Sequence, residues 1–104
     1  MAAPLGFVDD EKVVTLTDAM FSEGVAELRS QLRDHILAGV RVLIVDVSRV
    51  DRLSSSAVAA LLGAHRMCRA RGGHVVLRHP SHRTSELLRN TGLHRVFHVE
   101  GGRI

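Results

Sequence analysis

The sequence predicts an α/β fold: a four- to five-stranded, mostly parallel (mixed) sheet with about three packed helices. Three observations carry that prediction. From Val40 onward apolar β-branched runs alternate with helical stripes, and strands joined by helix-length crossovers pair in parallel. The run "VRVLIVDV", Val40 to Val47, is apolar almost without a break, the pattern of a strand buried on both faces. Each helical stripe is followed by a glycine, Gly39, Gly72 or Gly92, where a chain leaving a helix turns left-handed most cheaply.

The elements follow in order. "LGFV", Leu5 to Val8, and "VVTL", Val13 to Leu16, flank the polar "DDEK" and are expected to form a short hairpin. Val25, Leu28, Leu32 and Ile36 recur at spacings of three and four, which marks a first helix capped by Ser22 or Asp18. Val40 to Val47 is the next strand. Val58, Leu61, Leu62, His65 and Cys68 form the stripe of a second helix, whose cap is Ser54 or Ser55. "HVVLR", His74 to Arg78, is a strand. "PSHRTSELLRNTG" is a short helix starting near Pro80 or Ser81 and ending at Gly92, and "RVFHV", Arg95 to Val99, is the last strand.

At 104 residues the chain is expected to be one domain, 1–104. Its 45% apolar content argues against disorder. No apolar run approaches the roughly 20 residues a bilayer requires, and "MAAPLGFVDDEK" has neither the basic nor the apolar stretch of a secretory signal. The lone Cys68 excludes an internal disulfide and suits a reducing compartment, so the expected location is the cytoplasm. The formal charge is +3, and the basic residues are arginines apart from Lys12. They are interspersed with acids, and there is no Trp or Tyr on which a base would stack. Neither nucleic acid nor membrane is an expected partner.

The serine run Ser54–Ser55–Ser56 falls between a buried strand and a helix start, the place where open α/β sheets put their ligands. One serine is explained by capping, at about 1 kcal/mol, and Ala57, Ala59 and Ala60 allow close packing of the helix start. Three readings remain for the other hydroxyls. A nucleophile needs a base and an oxyanion site, and "SSSAV" is not the Gly-x-Ser-x-Gly elbow; no catalytic residue and no enzyme activity is assigned. An anion or nucleotide sensor would use the bare N–H groups of the helix start with Arg49 and Arg52 nearby. A phosphorylated serine would keep the helix, because the helix dipole favours negative charge there, while turning the surface to about −2.

The stretch "LIVDVSRVDRLSSSAVAALLGAHRMCRARGGHVVL", Leu43 to Leu77, resembles the STAS domain of bacterial anti-sigma factor antagonists. The likeness continues through "TGL", Thr91 to Leu93, and spans Val25 to Val99. By position, Asp46 and Ser48 match the family's Asp-apolar-Ser, and Ser55 falls on its phosphorylated serine. Ser56 falls on the following Ser/Thr. Ser54 stands where the family has Asp, and Ala57 where it has Gly. The resemblance implies a STAS-like fold and a switch protein in transcription regulation. Such a protein binds an anti-sigma factor, a serine kinase with a histidine-kinase-like ATPase fold, and is released when that kinase phosphorylates it; a phosphatase reverses the step.

The residues expected to act are therefore Ser55 as phosphoacceptor, with Ser56 second. The expected partner surface is Ser48, Arg49, Arg52, Leu53, Ser54, Ser55, Ser56, Ala57 and His79, on a monomer or weak dimer. No cofactor or metal is expected. His79 and His82 of "HPSH" have no acid or cysteine at a ligand spacing, His65 reads as a partly buried histidine, and Cys68 as core. The alternatives to the switch are a non-phosphorylated STAS subunit of a transporter complex, a stressosome-like scaffold subunit, and the anion sensor.

Overall fold

The computed structural model describes residues 11–21 and 24–101. Among these residues four strands, β1 (Glu11–Thr17), β2 (Val42–Arg49), β3 (His74–Arg78) and β4 (His98–Glu100), alternate with three helices, α1 (Ala26–Leu37), α2 (Ser55–Ala70) and α3 (His82–Thr91). Among the described strands the sheet order is β1-β2-β3-β4, and the three pairings between them are parallel. The predicted α/β class with a four-stranded sheet and three helices is what forms. A sheet that grows in one direction through right-handed crossovers collects its helices on one face. Accordingly α1 packs beside α2, and α2 against β3.

Register decides which side chains meet the helices. Val14, Val45 and Leu77 are aligned across β1, β2 and β3, as are Leu43 and Val75. With Leu16 and Val47 they form the sheet side of the core, nearly all at 0% exposure. From the other side come Leu28, Leu32 and Ile36 of α1, then Ala57, Ala60, Leu61, Ala64 and Cys68 of α2. Both sets follow helical spacing. Alanines on α2 bring its axis close to its neighbours, and Gly73 continues the same tight packing: a Cβ there would collide with the Arg41 carbonyl.

Several local expectations are corrected. Val13–Leu16 lies in β1 and pairs in parallel with β2; Leu5–Val8, its partner in the expected hairpin, lies outside the described residues. Asp18 does not cap α1. It opens a 3-10 turn, Asp18–Phe21, and Val25 precedes the helix without a side-chain cap; Ser22 is outside the described residues. β2 begins at Val42 rather than Val40, because the chain leaving α1 turns through Gly39 (φ 109°) with Val40 still bonded to the His35 carbonyl. Arg95 closes a second 3-10 turn, Leu93–Arg95, so β4 starts only at His98. Apolar alternation in "RVFHV" is satisfied instead by Phe97 reaching the core from the turn.

Candidate functional site

The site forms at the carboxyl ends of β2 and β3, where α2 and α3 begin. Val50 and Leu53 are buried to 1% and 2% exposure, and pin the loop after β2 to the core, so that Asp51 and Arg52 between them face outward. Ser54 takes an extended backbone (φ −78°, ψ 164°) and its Oγ accepts the Ala57 amide at 3.1 Å. That bond satisfies one of the unpaired N–H groups of the helix start. Ser54 is therefore the cap, and Ser55 and Ser56 are the exposed first residues of α2.

Ser55 lies on the rim of a cleft of about 430 Å³. Arg52, Leu53, Ser54, Ser55 and Val58 line it from the α2 side, and Leu87, Thr91 and Leu93 from the α3 side. Its floor is apolar and its mouth carries hydroxyls and a guanidinium. Arg52 also lines a neighbouring cleft of about 310 Å³ with Arg83, Glu86 and Asn90.

α3 holds the serine loop in place. Ser81 caps α3 by accepting the Thr84 amide at 3.1 Å, and its hydroxyl donates to the Asp51 carbonyl at 2.5 Å. Arg83 Nη1 donates to the Asp51 carboxylate at 3.2 Å. The two helix starts are thus clamped together across thirty residues of sequence. One serine supplies both the cap of one helix and the anchor of the other's loop.

A second corner lies on the opposite side of the sheet end. The Ser48 amide donates to Asp46 Oδ1 at 2.9 Å. The Ser48 hydroxyl and amide together hold the Asp46 carboxyl below its ordinary value, against the opposing effect of burial and with smaller help from His79 and Arg78. His79 occupies the left-handed region (φ 57°), its amide donates to the Glu100 carbonyl at 2.7 Å, and its ring sits where a side chain at Gly101 would be. A non-glycine residue held there marks a locally constrained turn. Arg78 pairs with Glu100 at 3.1 Å.

The expected partner residues therefore divide. Arg52, Leu53, Ser54 and Ser55 share the cleft. Ser56 is exposed beside it, while Ser48 and His79 belong to the Asp46 corner, and Arg49 is aligned with Thr17 at the β1 side of the sheet. Ala57 needs correction as a contact residue: at 0% exposure its methyl faces the core, as the inward phase of α2 dictates. Leu53 is likewise core, with only an edge forming the cleft floor. Sequence reasoning missed Asp51, Ser81, Leu87, Thr91 and Leu93. "PSHRT" did signal a helix start near Ser81, but nothing in it points to Asp51.

His65 and Cys68 have structural surroundings. His65 Nδ1 accepts the Val75 amide at 3.3 Å, and burial, with Arg69 and His74 nearby, lowers its pKa. Burial raises that of the Cys68 thiol. Among the described residues no helix is long and apolar enough to cross a membrane, and no group of three or more His, Cys, Asp or Glu side chains is placed to hold a metal ion.

The fold and site define an α/β domain with a serine-capped helix start and an adjoining cleft at the carboxyl edge of a parallel sheet. The family model of the STAS domain matches residues 5–101, so the chain belongs to the STAS domain family. Solved structures share the fold. The Thermotoga maritima protein TM1081 is similar with a TM-score of 0.78 and 18% identity, over 92% of this chain and 78% of its own. The Bacillus anti-sigma factor antagonist SpoIIAA, in its unphosphorylated form, gives 0.76 and 22%, over 92% and 82%. A chain of the stressosome, a signal integration and transduction hub, gives 0.72 and 21%, over 90% and 84%. No curated protein sequence matches the chain.

Proposed function

We propose that this STAS domain is an anti-sigma factor antagonist that docks through the cleft between α2 and α3 and is released by phosphorylation of Ser55. The observation that carries the reading is the position of Ser55: exposed, on the rim of an apolar-floored cleft, and relieved of capping duty by Ser54. Ser56, one residue on, is not part of the cleft lining. SpoIIAA, which has this fold, has been solved in unphosphorylated and phosphorylated forms.

The mechanism is local. A phosphate on the first residue of α2 meets the positive end of the helix dipole, so the helix is kept. The same charge of about −2 stands over a floor of Leu53, Val58, Leu87 and Leu93. Closing a partner over it strips its water, at a cost of several kcal/mol, equivalent to about a thousandfold in affinity. The partner is an anti-sigma factor that is itself a serine kinase of the histidine-kinase-like ATPase fold. A phosphatase restores the docking state, and the protein works as a cytoplasmic monomer or weak dimer without cofactor. Arg52 and Ser54 line the contact and Ser56 lies beside it, while Ser48, Arg49 and His79 lie outside the cleft lining.

Incubation with such kinases from the source genome and ATP, followed by mass mapping, tests the modification. Binding of the same partner by wild type, Ser55→Ala and Ser55→Asp tests the switch. Ala is expected to bind and to resist phosphorylation, and Asp to bind more weakly. Equal affinity for all three proteins refutes the docking surface.

A further inference from the structure

The amino end of the sheet carries a second constellation that the proposed switch leaves unused. His74 opens β3 and His98 opens β4, and their ring centroids lie 5.6 Å apart. His65 reaches over from α2, edge-on to Phe97 at 5.5 Å. Its Nδ1 accepts the Val75 amide at 3.3 Å, which leaves its proton on Nε2 and fixes that nitrogen as a donor. Arg69, four residues along α2, and Arg95, in the turn before β4, complete the basic lining of one cleft of about 270 Å³. Among the described residues no carboxylate lines it. The acid nearest along β4, Glu100, is engaged by Arg78 at 3.1 Å.

We infer that this cleft binds a small phosphate-class anion, at the opposite end of the sheet from the serine loop. Two arginines and three histidines line it with no carboxylate among the described residues, and guanidinium forks with imidazole N–H groups are the donors that suit phosphate oxygens. Sites for drug-sized ligands run from about 300 to 1,000 Å³; this smaller space suits a phosphate or diphosphate group. The inference does not rest on the role of Ser55, and Ser55→Asp is expected to leave the anion site intact.

The test is a titration of isotope-labelled protein with inorganic pyrophosphate at constant ionic strength, followed by NMR. Saturable shifts confined to the surroundings of His65, His74, Phe97 and His98 are expected. Arg69→Gln with Arg95→Gln should weaken binding by about tenfold or more. Arg29→Gln with Arg33→Gln, which removes the same charge from α1, should change it by less than about twofold. Should the first double variant fail to fold, His98→Gln on the edge strand supplies the same readout. Shifts that never saturate, that spread over the surface, or that weaken equally in both double variants overturn the site, since they report general charge screening.

Discussion

The division of labour among the three serines is open to a direct stability measurement. Ser54→Ala removes the acceptor of the Ala57 amide and leaves an N–H of the helix start dependent on water. Cap replacements of this kind cost about 1 kcal/mol, which for a chain of this size lowers Tm by about 4–8 °C. Ser55→Ala touches no cap bond and should change stability by less than about 0.5 kcal/mol. Ser54→Asp keeps an acceptor at the cap and should stay close to wild type. Ser55→Asp places a charge at the positive helix end and should be neutral or stabilising by about 0.3–1 kcal/mol. Urea unfolding followed by circular dichroism, with calorimetric Tm as a second probe, reads all four. If Ser55→Ala destabilises as much as Ser54→Ala, Ser55 is doing structural work and the assignment of its hydroxyl to signalling fails. The series also protects the binding experiment: a Ser55→Asp protein with wild-type stability that has lost its partner has lost it at the surface.

Further expectations concern the surroundings of the site. Ser81→Ala removes both the α3 cap and the anchor of Asp51 and should cost about 1–2 kcal/mol, whereas Asp51→Asn, which weakens an exposed ion pair only, should cost under about 0.5 kcal/mol; paired urea curves separate them, and equal losses would refute the clamp. Gly73→Ala drives a methyl into the Arg41 carbonyl and should destabilise by about 1–3 kcal/mol, with a Tm scan as the check. Asp46 has its folded-state pKa depressed by Ser48, so its stabilisation is present above the unfolded value and lost as pH falls through the folded one. Below pH of about 4 wild type should therefore lose stability more steeply than Asp46→Asn, and parallel acid curves would exclude that contribution.

Placement of the switch away from the core has a thermodynamic consequence. In the proposed switch, a phosphate on Ser55 would leave Leu53 and Ala57, both buried, untouched, so the domain would keep its fold. Under that proposal, regulation would cost the partner's affinity and nothing of the domain's stability.

Much of this was legible in the residues themselves. Hydrophobic periodicity located α1 and α2, glycine positions marked helix ends, and a nearly continuous apolar run identified Val40–Val47 as a strand buried on both faces; these are local signals, set by which side chains can share a face. The serine junction was legible for the same reason, since a cap must precede its helix in sequence. What the tertiary structure alone decided is pairing. The alternation of Val13–Leu16 names no neighbour, and only the crossover through α1 set it beside β2. Which serine caps and which faces outward depends on the phase with which α2 lands on the sheet, fixed by Ala57, Ala60 and Leu61 entering the core. The clamp from Ser81 and Arg83 to Asp51, and the basic cleft joining His65 to His98, unite residues about thirty positions apart. Sequence patterns report a residue's own face; contacts between faces exist only once the burial of apolar surface has brought the elements together.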